Sequence, residues 1–210
     1  MYLTVISIKG GVGKTSIATN IALNNNYTLV TNDVVTDLSR LQTINTHLID
    51  SKLKKIPSRY LKGDRDIVFD MGAMTGLVDP KVMHAIKLAD GVIIPTLTDA
   101  RSISATIETI QFVQQAEIEN IFIIVNRVAN EKEFLEVAAQ LSSYIDECSI
   151  YMMKNTTLFK HIARDGSKWY QNIHHEKGNY MLQRTKNLHN EIYEEIIDLT
   201  EQIISLKGGI

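Results

Sequence analysis

The sequence predicts an α/β protein, a doubly wound and mainly parallel sheet flanked by helices. Three observations predict it. Short apolar, β-branched runs alternate with segments of helical period along the chain. The first run, Leu3-Thr4-Val5-Ile6, passes through a glycine-rich turn straight into a helical pattern. A later run, Ile67-Val68-Phe69, ends on a carboxylate, Asp70, at the strand end where parallel sheets gather their ligands.

The turn comes first because of its chemistry. Ser7-Ile8-Lys9-Gly10-Gly11-Val12-Gly13-Lys14-Thr15-Ser16 separates the first strand from a helix whose apolar face is Ile17, Ala18, Ile21 and Ala22. Gly10, Gly11 and Gly13 let backbone N–H groups crowd a polyphosphate with no Cβ in the way. The helix behind them turns its unsatisfied N–H groups and positive dipole end toward the same anion. Lys14 would neutralise β- and γ-phosphates, and the Thr15 hydroxyl would be a Mg²⁺ ligand. The general G-x-x-x-x-G-K-[ST] pattern wants a glycine where Ile8 stands, and carries no lysine at the position of Lys9.

Lys9-Gly10-Gly11-Val12-Gly13-Lys14-Thr15 resembles the deviant Walker A motif of the ParA/MinD family, P-loop NTPases of this fold class. The resemblance implies ATP and Mg²⁺ as cofactors, with Val12 and Ser16 joining the glycines, Lys14 and Thr15 around the nucleotide. It also implies an ATP-dependent homodimer in which Lys9 reaches the partner's nucleotide. The single cysteine, Cys148, disfavours the iron-protein branch of the superfamily, which needs two cluster ligands per subunit.

Tyr27-Thr28-Leu29-Val30 reads as the second strand, after a turn at Asn24-Asn25-Asn26. It leads into Thr31-Asn32-Asp33-Val34-Val35, where relatives carry D-x-D-P-Q. Asp33 matches the second aspartate, the catalytic one by resemblance alongside Lys9 and Lys14. Thr31 and Val34-Val35 depart from the pattern, which implies slow hydrolysis. Residues 36–65 are polar and without a clean period, and they hold Lys52, Lys54, Lys55, Arg59, Lys62 and Arg65, read as a solvated face or loop. Asp50 is a decoy for the metal-site aspartate, having only Leu48-Ile49 before it. Asp70 is the better candidate to hold the Mg²⁺ shell, and Gly72 gives the following loop freedom to move.

Asp79-Pro80 marks a helix start, with Val82, Met83, Ile86 and Ala89 on its apolar side. Gly91-Val92-Ile93-Ile94-Pro95 is a buried strand, followed by a helix with Ile103, Ile107, Ile110 and Val113 inward. Ile121 to Val125 is the most apolar run. Asn126 closes it, and the resemblance assigns that amide to base recognition. A helix with Phe134, Ala138, Leu141 and Ile145 inward and a last strand at Ile150-Tyr151-Met152 follow.

At 210 residues, 44% hydrophobic and 22% charged, the chain fits one soluble domain, 1–210. No signal peptide or membrane span is visible, and one cysteine suits a reducing cytoplasm. The net charge of −2 conceals an asymmetry. Residues 151–190 carry seven basic against two acidic side chains, while 191–210 carry one against five. Members of the family bind DNA without sequence preference through C-terminal basic residues, which points to Lys154, Lys160, Arg164, Lys168, Arg184 and Lys186. The resemblance thus implies a nucleoid-associated partition ATPase whose hydrolysis a centromere-bound adaptor stimulates. The alternatives are a MinD-like positioning ATPase at the membrane, or a ParA-like factor in conjugative DNA transfer. The last helix, about 188–206, argues against the membrane reading, because its polar face is acidic where such helices favour Lys and Arg.

Overall fold

A computed structural model describes residues 1–33, 44–63, 65–72, 79–144 and 148–155. Among them lie seven strands: β1 (Tyr2–Val5), β2 (Thr28–Thr31), β3 (Thr46–Leu48), β4 (Ile67–Asp70), β5 (Gly91–Thr96), β6 (Ile121–Val128) and β7 (Cys148–Lys154). Four helices connect them: α1 (Lys14–Asn25), α2 (Pro80–Leu88), α3 (Ala100–Gln114) and α4 (Glu131–Ser142). Every pairing is parallel, in the order β3-β2-β4-β1-β5-β6-β7. The connection leaving β1 passes one way to β2, and the one leaving β4 passes the other way to β5. The order therefore reverses at β1, and the carboxyl end of β1 is where such a sheet opens a ligand crevice.

Strands β1, β2, β4, β5 and β6 are buried on both faces, and their alternation divides the core in two. Val30, Ile67, Phe69, Val92, Ile94, Ile121, Ile123 and Val125 face a cluster that α2, α3 and α4 complete with Val82, Ile86, Ile103, Ile110, Val113, Val137 and Leu141. Leu3, Val5, Leu29, Val68, Ile93, Phe122 and Ile124 face the opposite side, which α1 covers with Ile17, Ala18, Ile21 and Ala22. That period of two, sustained across five strands, is what a double-faced sheet demands.

Details depart from the sequence expectation for local reasons. Helix α1 runs through Asn25, and Asn26 ends it at φ 56, its N–H bonded to the Ala22 carbonyl. Asparagine tolerates this left-handed position, so the expected three-residue turn shrinks to one residue. Thr19 and Asn20 are buried along with the apolar residues of α1, so the helix has no single apolar face. Strand β3 went unrecognised because it is three residues long, at the sheet edge, and not fully buried. Asp50 is exposed and accepts the Lys52 N–H at 2.8 Å, which makes it a turn residue. Ile145 and the helix expected at 188–206 lie outside the described residues. Among the described residues no helix is long and apolar enough to cross a membrane.

The segment after β3 is tied to α2 by buried polar contacts. Asp79 caps α2 by accepting the Lys81 N–H at 2.9 Å, and its other oxygen lies 3.1 Å from the Lys81 ammonium. Lys81, 7% exposed, also donates to the Ser51 carbonyl at 3.0 Å, while His84 Nδ1 accepts the Ile56 N–H at 3.1 Å. Asp79→Ala removes the cap and leaves the Lys81 ammonium without its carboxylate. Urea unfolding should register a loss of about 1–2 kcal/mol, larger than for Asp50→Ala at the exposed turn.

Candidate nucleotide-binding site

After β1 the chain leaves the sheet at Ile6, whose N–H makes a last bond to the Ile93 carbonyl at 3.0 Å. The loop that follows is held at several points. The Ile8 N–H donates to Thr109 Oγ1 of α3 at 3.3 Å, and the Lys9 N–H to Ser7 Oγ at 3.3 Å. The Val12 carbonyl accepts from Asn126 Nδ2 at 2.9 Å. Gly11 and Gly13 take φ +78 and +100, the left-handed region, and Gly13 is the N-cap of α1. A Cβ at Gly13 would lie 2.3 Å from Asn126 Nδ2, so two independent constraints demand glycine there.

Lys14 is 7% exposed, and its ammonium folds back to the Lys9 carbonyl at 3.1 Å. Burial lowers its pKa, with Asp70 and Asp33 opposing through their charge. Asp70 is fully buried at the end of β4. Its Oδ2 accepts the Thr31 hydroxyl at 3.0 Å, while its Oδ1 has no hydrogen-bond partner among the described residues. Burial pushes its pKa up to about 6, against the hydroxyls of Thr15 and Thr31. Thr31, which replaces the first aspartate of the expected motif, thus holds the metal-site candidate in place. Thr15 Oγ1 lies 3.4 Å from Asp33 Oδ2, so Asp33 does reach the loop's edge.

An unpartnered buried carboxylate oxygen beside a hydroxyl and a second carboxylate is an all-oxygen donor set. It fits Mg²⁺, which binds through one or two carboxylates with phosphates and water supplying the rest. Among the described residues no group of three or more His, Cys, Asp or Glu could hold a metal ion by itself.

Lys9 points elsewhere. Its ammonium contacts both Asp99 oxygens, at 3.2 and 3.0 Å, and Ser102 Oγ at 2.5 Å, all within the same chain. Asp99 also caps α3, accepting the Ser102 N–H at 3.1 Å and hydroxyl at 2.6 Å. Hydrogen bonds from Ser102 and Lys9 hold its carboxyl well below the usual carboxylate range.

Sequence reasoning missed Asp99, Ser102 and Asn32. Asp99 stands directly before a helical pattern, a capping signal that could have found it. Asn32 Oδ1 accepts the Gly72 N–H at 2.6 Å, joining the segment after β2 to the segment after β4. Among the residues expected to meet DNA, Lys154 ends β7; Lys160, Arg164, Lys168, Arg184 and Lys186 lie outside the described residues.

Fold and loop together define a P-loop nucleotide-binding domain. A family model, the CobQ/CobB/MinD/ParA nucleotide binding domain, matches residues 3–167, and the chain belongs to that family, the deviant Walker A ATPases of ParA/MinD type. Solved structures agree on the fold. The septum site-determining protein MinD of Pyrococcus horikoshii, complexed with Mg-ADP, gives a TM-score of 0.67 at 17% identity over 99% of this chain and 97% of its own. An ATP complex of a Cyanothece McdA variant gives 0.66 at 12% identity, over 96% and 95%. A plasmid partition protein from Borrelia burgdorferi gives 0.53 at 18% identity, over 81% and 98%. No curated protein sequence matches the chain significantly.

Asp70 makes the folded chain sensitive to pH. Its carboxyl ionises near 3.8 when unperturbed and at about 6 in the fold, so between those values the folded state holds a proton the unfolded state has lost. Asp70's own contribution to stability should fall as pH rises from about 4 to about 6, by on the order of 3 kcal/mol, and then level off. His47 and His84, whose pKa burial lowers, act in the opposite direction. Urea unfolding at pH 4.5 and 7, without metal or nucleotide, measures it as the difference between the natural chain and Asp70→Asn, which should gain relative stability as pH rises.

Proposed function

We propose that this chain is a ParA-type ATPase that dimerises on ATP–Mg²⁺, binds DNA without sequence preference and drives DNA segregation in the cytoplasm. The observation that carries the reading is one loop bearing Lys9 and Lys14, set against the buried Asp70 with its unpartnered oxygen. The N–H groups of the loop and the start of α1 bind the phosphates, and Lys14 adds a positive charge already withdrawn from water. Asp70 and Thr15 hold the ion. Mg²⁺, when bound, offsets phosphate charge as the transferred group separates. Asp33, 3.4 Å from Thr15 Oγ1, is placed to orient water near the same edge. Catalysis of this kind rests on positioning and charge neutralisation, not on covalent chemistry.

Lys9 serves the dimer in this reading. To touch a second copy's phosphates it leaves Asp99 and Ser102, a contact on the partly exposed side of the loop. The Thr31 and Val34-Val35 departures make turnover slow until an adaptor protein bound to the DNA cargo stimulates it.

Two measurements test this. In calorimetry with Mg²⁺–ATP, Lys14→Ala should show no binding, whereas Lys9→Ala should bind within about threefold of the natural chain, a difference under 1 kcal/mol. Light scattering with a non-hydrolysable ATP analogue should then find the natural chain dimeric and Lys9→Ala monomeric; dimers of Lys9→Ala would remove its assigned role. In electrophoretic shift assays, DNA binding should require ATP and weaken steeply with salt. Absence of any ATP-dependent shift at low salt would defeat the DNA-segregation reading and leave the nucleotide site standing.

A further inference from the structure

Asn126 is 4% exposed, and both ends of its amide are engaged inside the chain. Nδ2 donates to the Val12 carbonyl across 114 positions of sequence, and Oδ1 accepts the Arg127 N–H at 2.8 Å. Those two bonds fix which end of the amide is nitrogen. The backbone is shaped to allow it. Arg127 takes φ +60, and the β6–β7 register slips between Asn126 and Val128, so strand pairing breaks directly after the amide. The side chain lies on the α1 side of the sheet, like Phe122 and Ile124, and abuts Gly13, where a Cβ would meet it at 2.3 Å.

The consequence follows from peptide geometry. The Val12–Gly13 peptide is trans, so its C=O and N–H point in opposite directions. Tying the Val12 carbonyl to β6 therefore aims the Gly13 N–H away from β6. We infer that Asn126 is a positioning residue: by clamping the Val12 carbonyl it holds the phosphate-binding loop open to an anion. This deepens the nucleotide-binding reading above and rests on it, adding to base recognition a second role for this amide.

The test uses a ligand without a base. Calorimetry compares Mg²⁺–tripolyphosphate, Mg²⁺–ATP and Mg²⁺–GTP on the natural chain, Asn126→Ala and Asn126→Asp, the last keeping side-chain size and the Arg127 acceptor while losing the donor. A clamp predicts that Asn126→Ala weakens tripolyphosphate about tenfold, for one lost buried hydrogen bond, and ATP by at least the same factor. Hydrogen exchange on a peptide spanning 9–15, in nucleotide-free protein, should quicken about tenfold in both variants, while a peptide spanning β4 stays as protected as in the natural chain. Unchanged exchange in the loop overturns the inference. So does a shifted ATP/GTP preference with tripolyphosphate affinity intact, which would make Asn126 a reader of the base. If the natural chain binds none of the three ligands, the nucleotide reading fails, and the exchange arm still decides the clamp.

Discussion

The loop between β1 and α1 is held from both kinds of backbone group: its Ile8 and Lys9 N–H groups donate to side-chain hydroxyls, and its Lys9 and Val12 carbonyls accept from side chains. A peptide with both ends free would satisfy itself or collapse, so the loop depends on partners drawn from distant parts of the chain. Thr109 of α3 supports its entry, Asn126 of β6 its middle and the first turn of α1 its exit. These elements converge because the strand order reverses at β1, bringing β4 and β5 to either side of it. The sheet is thus a frame for one short stretch of backbone, and the double-sided core is what makes the frame rigid.

The same convergence accounts for the charges. Asp70 and Lys14 are both withdrawn from water, and for each the largest effect on its protonation is desolvation, which opposes the charged form. Their mutual attraction only partly relieves this. A chain selected for stability alone has no reason to keep an unpartnered oxygen at Asp70 Oδ1. An arriving cation and an arriving polyphosphate each find a partner already stripped of water, so little reorganisation remains when they bind.

Legibility in the sequence tracked the range of the forces involved. The strand–turn–helix motif, Asp70 at its strand end and the Asp79-Pro80 helix start are local patterns, and each appears where the spacing predicts. β3 was invisible because an edge strand of three residues is defined by its pairing with β2, which no local period reports. Asn32 was missed for a related reason, since it matters through Gly72, forty positions away; Asp99 and Ser102 carry a local capping signal, and only their contact with Lys9 is long-range. Asn126 was singled out, but as an isolated strand-end amide; its bond to Val12 is set by the register of β6 against the rest of the sheet and cannot be read from neighbouring residues.

Asp99 carries two obligations of different kinds. Its bonds to the Ser102 N–H and hydroxyl cap α3, and they persist whether or not Lys9 is present. Its contact with the Lys9 ammonium lies on the partly exposed side of the loop, where water can replace either partner. Removing Lys9 from Asp99 therefore leaves the helix capped and the core untouched. The loop's first lysine is partly exposed, and its second is buried. Two lysines five residues apart, alike in the sequence, are separated by the fold into one at the water's edge, paired with Asp99, and one withdrawn from water beside Asp70.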